Sequence, residues 1–184
     1  MALLSLMEIF DFIIMTLFLG YLFQDMFARS PHAQRFDWQS FKFAVYVTAP
    51  AIILHELFHK LVALAFGFDA VFHAFYANMT TLWLGLFAII AKLLSFGFFF
   101  IVPGFVSISG SGTPLHFALI AFAGPALNLI LWLGAAYLSR RHSRHGAFLA
   151  VTAKINMFLF IFNMLPIPGF DGFQLYLSLW EAIF

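Results

Sequence analysis

Four apolar runs, each about as long as a bilayer is thick, leave this chain little choice of architecture. They are Leu3 to Phe23, Phe43 to Phe66, Leu115 to Leu138 and Phe148 to Leu165. About 20 apolar residues in a helix cross a hydrocarbon core of about 30 Å. Backbone N–H and C=O groups find no water at that depth, so such runs must be helical. Only 9% of the 184 residues are charged and 64% are hydrophobic, whereas soluble domains carry about 25% charged residues. The expected fold is an all-α polytopic membrane protein built on these four main transmembrane helices.

Residues 1–42 divide off as an N-terminal transmembrane helix with a polar loop, and residues 43–184 as the functional core. The first run has no basic leader and no small-residue cleavage site, so it is expected to be retained rather than removed as a signal peptide. Glu8 and Asp11, near its start, are expected in the membrane interface. Trp38 and Phe41 precede the second run as interface anchors. Lipid is the surrounding partner. A net charge of +1 gives no reason to expect a nucleic acid. With no cysteine, disulfides and thiolate metal sites are excluded, and any metal must sit on His, Asp or Glu.

The second run contains His55-Glu56-Leu57-Phe58-His59. Helix positions four apart share a face, so His55 and His59 are placed to grip one ion. Glu56 is placed beside the first ligand, within reach of a water on that ion as general base. H-E-x-x-H in a helix is the zinc-protease pattern. A lone histidine in an apolar helix is usually a packed one. Two His and a Glu at membrane depth cost about 2.5–3.5 kcal/mol each to insert, and that cost points to function. Lys60 is expected to snorkel or to pair with an acid, and Gly67 to end the helix.

The later segments differ in character. Phe68 to Met79 is short and mixed. A loop histidine such as His73 is more often structural than a ligand. Thr80 to Leu94 is helical but short, and fits a re-entrant or interfacial helix as well as a crossing. Phe98–Val102 and Phe105–Ile108 look like strands, with turn residues at Pro103-Gly104 and Gly110-Ser111-Gly112. A β element here must be shielded by protein or line a wet cavity, and its edge is able to take up an extended peptide. Asn128 follows Gly124-Pro125 in the third run and needs a polar partner. Arg140, Arg141 and Arg144 form a basic loop. Asn163 to Gly172 holds two prolines and two glycines, which must break a helix, and it ends in a carboxylate.

A catalytic zinc takes three protein ligands and a water. His55 and His59 supply two. Asp171, in broken backbone, is the best third, and Asp69 and Asp11 are weaker candidates. One Zn²⁺ per chain is expected. Asn128 or Asn163 is expected to hydrogen-bond the substrate backbone or the oxyanion, and residue type does not rank them.

These motifs, in this order, resemble the site-2 proteases, the intramembrane zinc metalloproteases. His55-Glu56-x-x-His59 matches the first core helix. Gly124-Pro125-x-x-Asn128 resembles the second, and Asn163-x-x-Pro166-x-Pro168-x-x-Asp171-Gly172 resembles the third, whose aspartate is a zinc ligand in that family. Pro103-Gly104-Phe105-Val106 resembles the re-entrant β segment between the first two. Phe58 departs from the small residue usual at that place, and the segment from Thr80 to Leu94 is longer than expected. The resemblance is to a minimal microbial form, bacterial or archaeal.

It implies a transmembrane protein or peptide as substrate, cut within the bilayer. It also implies a multi-pass protein of the cell membrane with its site toward the cytosol. That orientation puts residues 24–42 and 140–145 outside, whereas the distribution of basic residues would put both inside. Both loops lie on one side if the segment from Thr80 to Leu94 does not cross. A non-proteolytic intramembrane metal-binding protein or scaffold is the alternative; it has no need of Glu56. Another H-E-x-x-H protease class would use a late glutamate as ligand, for which Glu181 is the weak candidate.

Overall fold

The computed structural model describes residues 4–27, 36–94, 104–141 and 144–184. In chain order they form α1 (Leu6–Phe23) with a 3-10 turn (Gln24–Phe27), α2 (Trp38–Ala65), β1 (Asp69–His73) and α3 (Met79–Leu93). Then come β2 (Phe105–Ser109), α4 (Pro114–Arg141), α5 (Gly146–Asn163) and α6 (Asp171–Ile183). Among the described residues four helices, α1, α2, α4 and α5, are long and apolar enough to cross a membrane, as the four runs predict. At 15 residues, α3 rises only about 22 Å and falls short.

β1 and β2 pair in a two-stranded sheet. Phe105 at the start of β2 lies over His73 at the end of β1. Gly110, just past β2, lies against Phe68, just before β1. The strands are therefore antiparallel. β2 falls on the expected strand at Phe105–Ile108. The other expected strand, Phe98–Val102, lies outside the described residues. β1 occupies the stretch that reads as mixed in sequence. α2 stops at Gly67, whose φ is 82°. Phe68 N–H returns to Ala63 O at 3.0 Å and Gly67 N–H to Leu64 O at 3.0 Å, a left-handed helix stop.

The chain forms two compact units, Met1–Pro50 with Val71–Ser107 and Ala51–Ala70 with Ile108–Phe184. In the first, α1 packs with α3. Phe12 stacks on Phe72 at 4.2 Å and Phe18 on Phe75 at 4.4 Å. Lys92 of α3 pairs with Asp25 and lies over the Tyr21 ring. Glu8 and Asp11 are enclosed by protein, each only 3% exposed. Glu8 closes a capping box with Ser5 and accepts Phe72 N–H at 2.9 Å. Asp11 accepts the Tyr76 hydroxyl, and that bond pushes the tyrosine up to about 12. Carboxylates so enclosed persist because donors of β1 and the turn after it meet them.

In the second unit α4 packs along α5 and α6. Ala118 and Ala121 meet Leu175, with Phe122 and Met164 against them; small residues allow close approach of helices. The turn after α5 passes through Gly169 at φ 97°. The first turn of α6 sits hard on the end of α5, where a Cβ on Gly172 would lie 2.5 Å from the Met164 carbonyl carbon. Tyr176 donates its hydroxyl to Met164 O at 3.0 Å. Both features hold Asp171 in place.

Candidate metal centre

Residues 55 and 59 are one helical turn apart on α2, and their rings meet nearly edge to face, at 78°. Both are buried, at 5% and 6% exposure. His59 Nδ1 lies 2.7 Å from Ile120 O on α4. A carbonyl only accepts, so Nδ1 carries a proton, and in the neutral imidazole the lone pair is at Nε2. The Ala121 carbonyl, which Pro125 cannot serve, is the next one along. His55 Nδ1 lies 2.5 Å from Asn128 Oδ1. Asn128 Nδ2 donates to Ala51 O at 3.2 Å and to Asn156 Oδ1 at 2.9 Å. The amide oxygen therefore faces the imidazole and accepts from it. In the neutral ring the lone pair is again at Nε2.

The two Nε2 atoms are 3.0 Å apart. Asp171 Oδ2 is 3.0 Å from that of His55 and 3.3 Å from that of His59. Zinc bonds to nitrogen and carboxylate oxygen of about 2.0–2.1 Å imply tetrahedral edges of about 3.3–3.4 Å. The donor triangle matches this edge to within about 0.4 Å. The backbone leaves room as well: a Cβ on Gly124 would lie 2.6 Å from His55 Nε2 and closer still to His59 Nε2. Nitrogen, nitrogen and carboxylate oxygen suit zinc. These residues fit the ion.

His55, His59 and Asp171 are the one such group of His and acidic side chains among the described residues. Glu56 follows His55, half-buried. No donor to its carboxylate is present among the described residues, which leaves it free to take a proton. His73 lies against Phe105 at 5.3 Å, Asp69 and Glu181 are exposed and Asp11 holds Tyr76; none joins the group. Lys60 is 2% exposed and does not snorkel.

The two asparagines part company. Asn128 is wholly buried, at 0% exposure, and its oxygen and nitrogen meet His55, Ala51 and Asn156. Asn163, at the end of α5, is half-buried and has no side-chain hydrogen bond among the described residues. Sequence reasoning missed the Ile120 carbonyl, Asn156 and the closeness of Gly124. The need of an intramembrane Asn for a partner was the available signal for Asn156.

A family model, peptidase family M50, matches residues 136–184. A protein of Methanocaldococcus jannaschii named "Putative zinc metalloprotease MJ0611" is 34% identical over 147 residues, covering 74% of this chain and 73% of the relative. No solved structure matches significantly. The fold and the site together define a multi-pass membrane metallopeptidase. The chain belongs to peptidase family M50, the site-2 proteases.

Proposed function

We propose that the chain is an intramembrane zinc endopeptidase that hydrolyses peptide bonds of transmembrane segments, with one zinc per chain. The observation that carries the reading is the convergence of His55 Nε2, His59 Nε2 and Asp171 Oδ2 within 3.3 Å beside Glu56, whose carboxylate has no donor among the described residues. Zinc held there supplies a Lewis acid that polarises a peptide carbonyl and makes water nucleophilic near neutral pH. Glu56 takes the proton of the attacking water and passes it to the leaving amine nitrogen. Asn163 donates its amide to the substrate backbone or to the developing oxyanion. Ile120 O and Asn128 Oδ1 hold the imidazoles with Nε2 presented. With this proposal goes a cell-membrane location with the site toward the cytosol, the orientation that the family resemblance implies.

The test is cleavage of a membrane-inserted model substrate by purified protein, with bound zinc measured on the same samples. Wild type should cleave. Glu56→Ala should keep its zinc and lose about 10²–10⁴-fold in rate, and Asp171→Ala should lose the metal. A Glu56→Ala protein as active as wild type would refute the base. Zinc binding without cleavage across a broad substrate panel would make the chain a metal-binding scaffold instead.

A further inference from the structure

We propose that Asn156, on α5, is a positioning residue for the metal centre: through Asn128 it fixes which nitrogen of His55 faces the ion. The inference rests on the zinc reading of that site. Asn156 touches none of the three ligands. It is 1% exposed and sits inside a membrane-spanning helix, where an amide needs partners for each of its atoms. It has two. Its Nδ2 donates to Thr152 O, one turn back on α5, at 2.9 Å. Its Oδ1 accepts from Asn128 Nδ2 at 2.9 Å.

The polarity of the chain of bonds follows from its ends. Thr152 O can only accept, so Asn156 must turn its NH₂ toward it and its oxygen toward Asn128. Asn128 must then answer with its NH₂, whose second hydrogen goes to Ala51 O, another obligate acceptor, at 3.2 Å. The remaining Asn128 atom, Oδ1, faces His55 Nδ1 at 2.5 Å. Only the Nδ1–H tautomer satisfies that pair. A flipped Asn128 would set its NH₂ against the imidazole and its oxygen against two acceptors at once. Two carbonyls, one on α2 and one on α5, thus dictate that the neutral His55 ring carries its proton at Nδ1 and its lone pair at Nε2. His59 reaches the same state in a single step from Ile120 O, so the relay serves one ligand only.

Asn156→Leu removes the acceptor and strands an Asn128 N–H in an apolar interior. Asn156→Asp, neutral when buried, keeps both bonds, with its hydroxyl donating to Thr152 O and its carbonyl accepting from Asn128. Zinc affinity is read by chelator competition on purified protein, alongside the thermal stability of the metal-free form, with His55→Ala as the reference for a broken site. Losing the partner of a metal-bound histidine typically costs about 10–100-fold in affinity. Asn156→Leu should fall in that range, and Asn156→Asp should stay within about threefold of wild type. If Asn156→Leu does not accumulate as folded protein, Asn156→Ala removes the same acceptor and carries the same expectation. Wild-type zinc affinity in the Leu or Ala variant would overturn the proposal. So would equal losses in the Leu and Asp variants that follow their stability. Should wild type itself bind zinc no better than His55→Ala, it is the metal reading that fails.

Discussion

At Gly124 the backbone of α4 comes so near the imidazoles that a methyl group would stand 2.6 Å from His55 Nε2 and closer to His59 Nε2. Such a methyl would compete for the space an ion needs. Gly124→Ala should therefore lower bound zinc at least tenfold in metal analysis of purified protein. Gly134→Ala, on the same helix with nothing within 4 Å of its Cβ, should leave it unchanged. Alanine is the better helix former by about 1 kcal/mol, so a loss at 124 alone would speak for the site and not for the helix. Equal zinc in the two variants would sink the argument. The candidate ligands were legible in sequence from local signals: His55 and His59 share a helix face, and Asp171 stands in backbone that prolines and glycines break. Asn128 was legible only as a polar group in want of a partner. That partner lies 73 positions away, and no local pattern announces it.

The helices followed from apolar length, and α2 ended where Gly67 allowed. β1 did not follow. Its five residues alternate exposed and buried from Asp69, too briefly to separate a strand from a mixed loop, and Asp and His on one face mute the contrast. The partners of Glu8 and Asp11 went unread for the same reason, since their donors are on β1 and the turn beyond it. Glu8 now joins two elements, as the cap of α1 and as the acceptor for the buried Phe72 N–H. Losing a cap costs about 0.5–2 kcal/mol and stranding a buried donor about 1–3 kcal/mol. Glu8→Ala should lower the unfolding free energy by about 2 kcal/mol or more, seen as an earlier transition in detergent. An unchanged midpoint would show that the carboxylate holds neither element.

For the molecule as a whole, among the described residues α2 and α4 are candidate spans and α3 is not; with α2 and α4 as the crossings between them, the segments before α2 and after α4 would share one side of the membrane. The chain has no cysteine, so single cysteines report without background. Gln39→Cys and Arg144→Cys, both at exposed positions, should react with an impermeant thiol reagent added outside intact cells. Protection of both until the cells are opened would reverse the orientation and favour the basic-residue rule. One feature of α5 bears on how such a chain can change length. Asn156 in mid-helix serves His55, and Asn163 ends the helix seven positions later, two turns on and nearly in line with it. One residue inserted between them would swing one end by about 100° against the other, taking either the His55 relay or the approach to Asp171 out of register. Before Thr152 an insertion disturbs neither. Evolution can thus add to or trim this helix from its Gly146 end, while the two turns that close on the candidate metal centre behave as a spacer of fixed length.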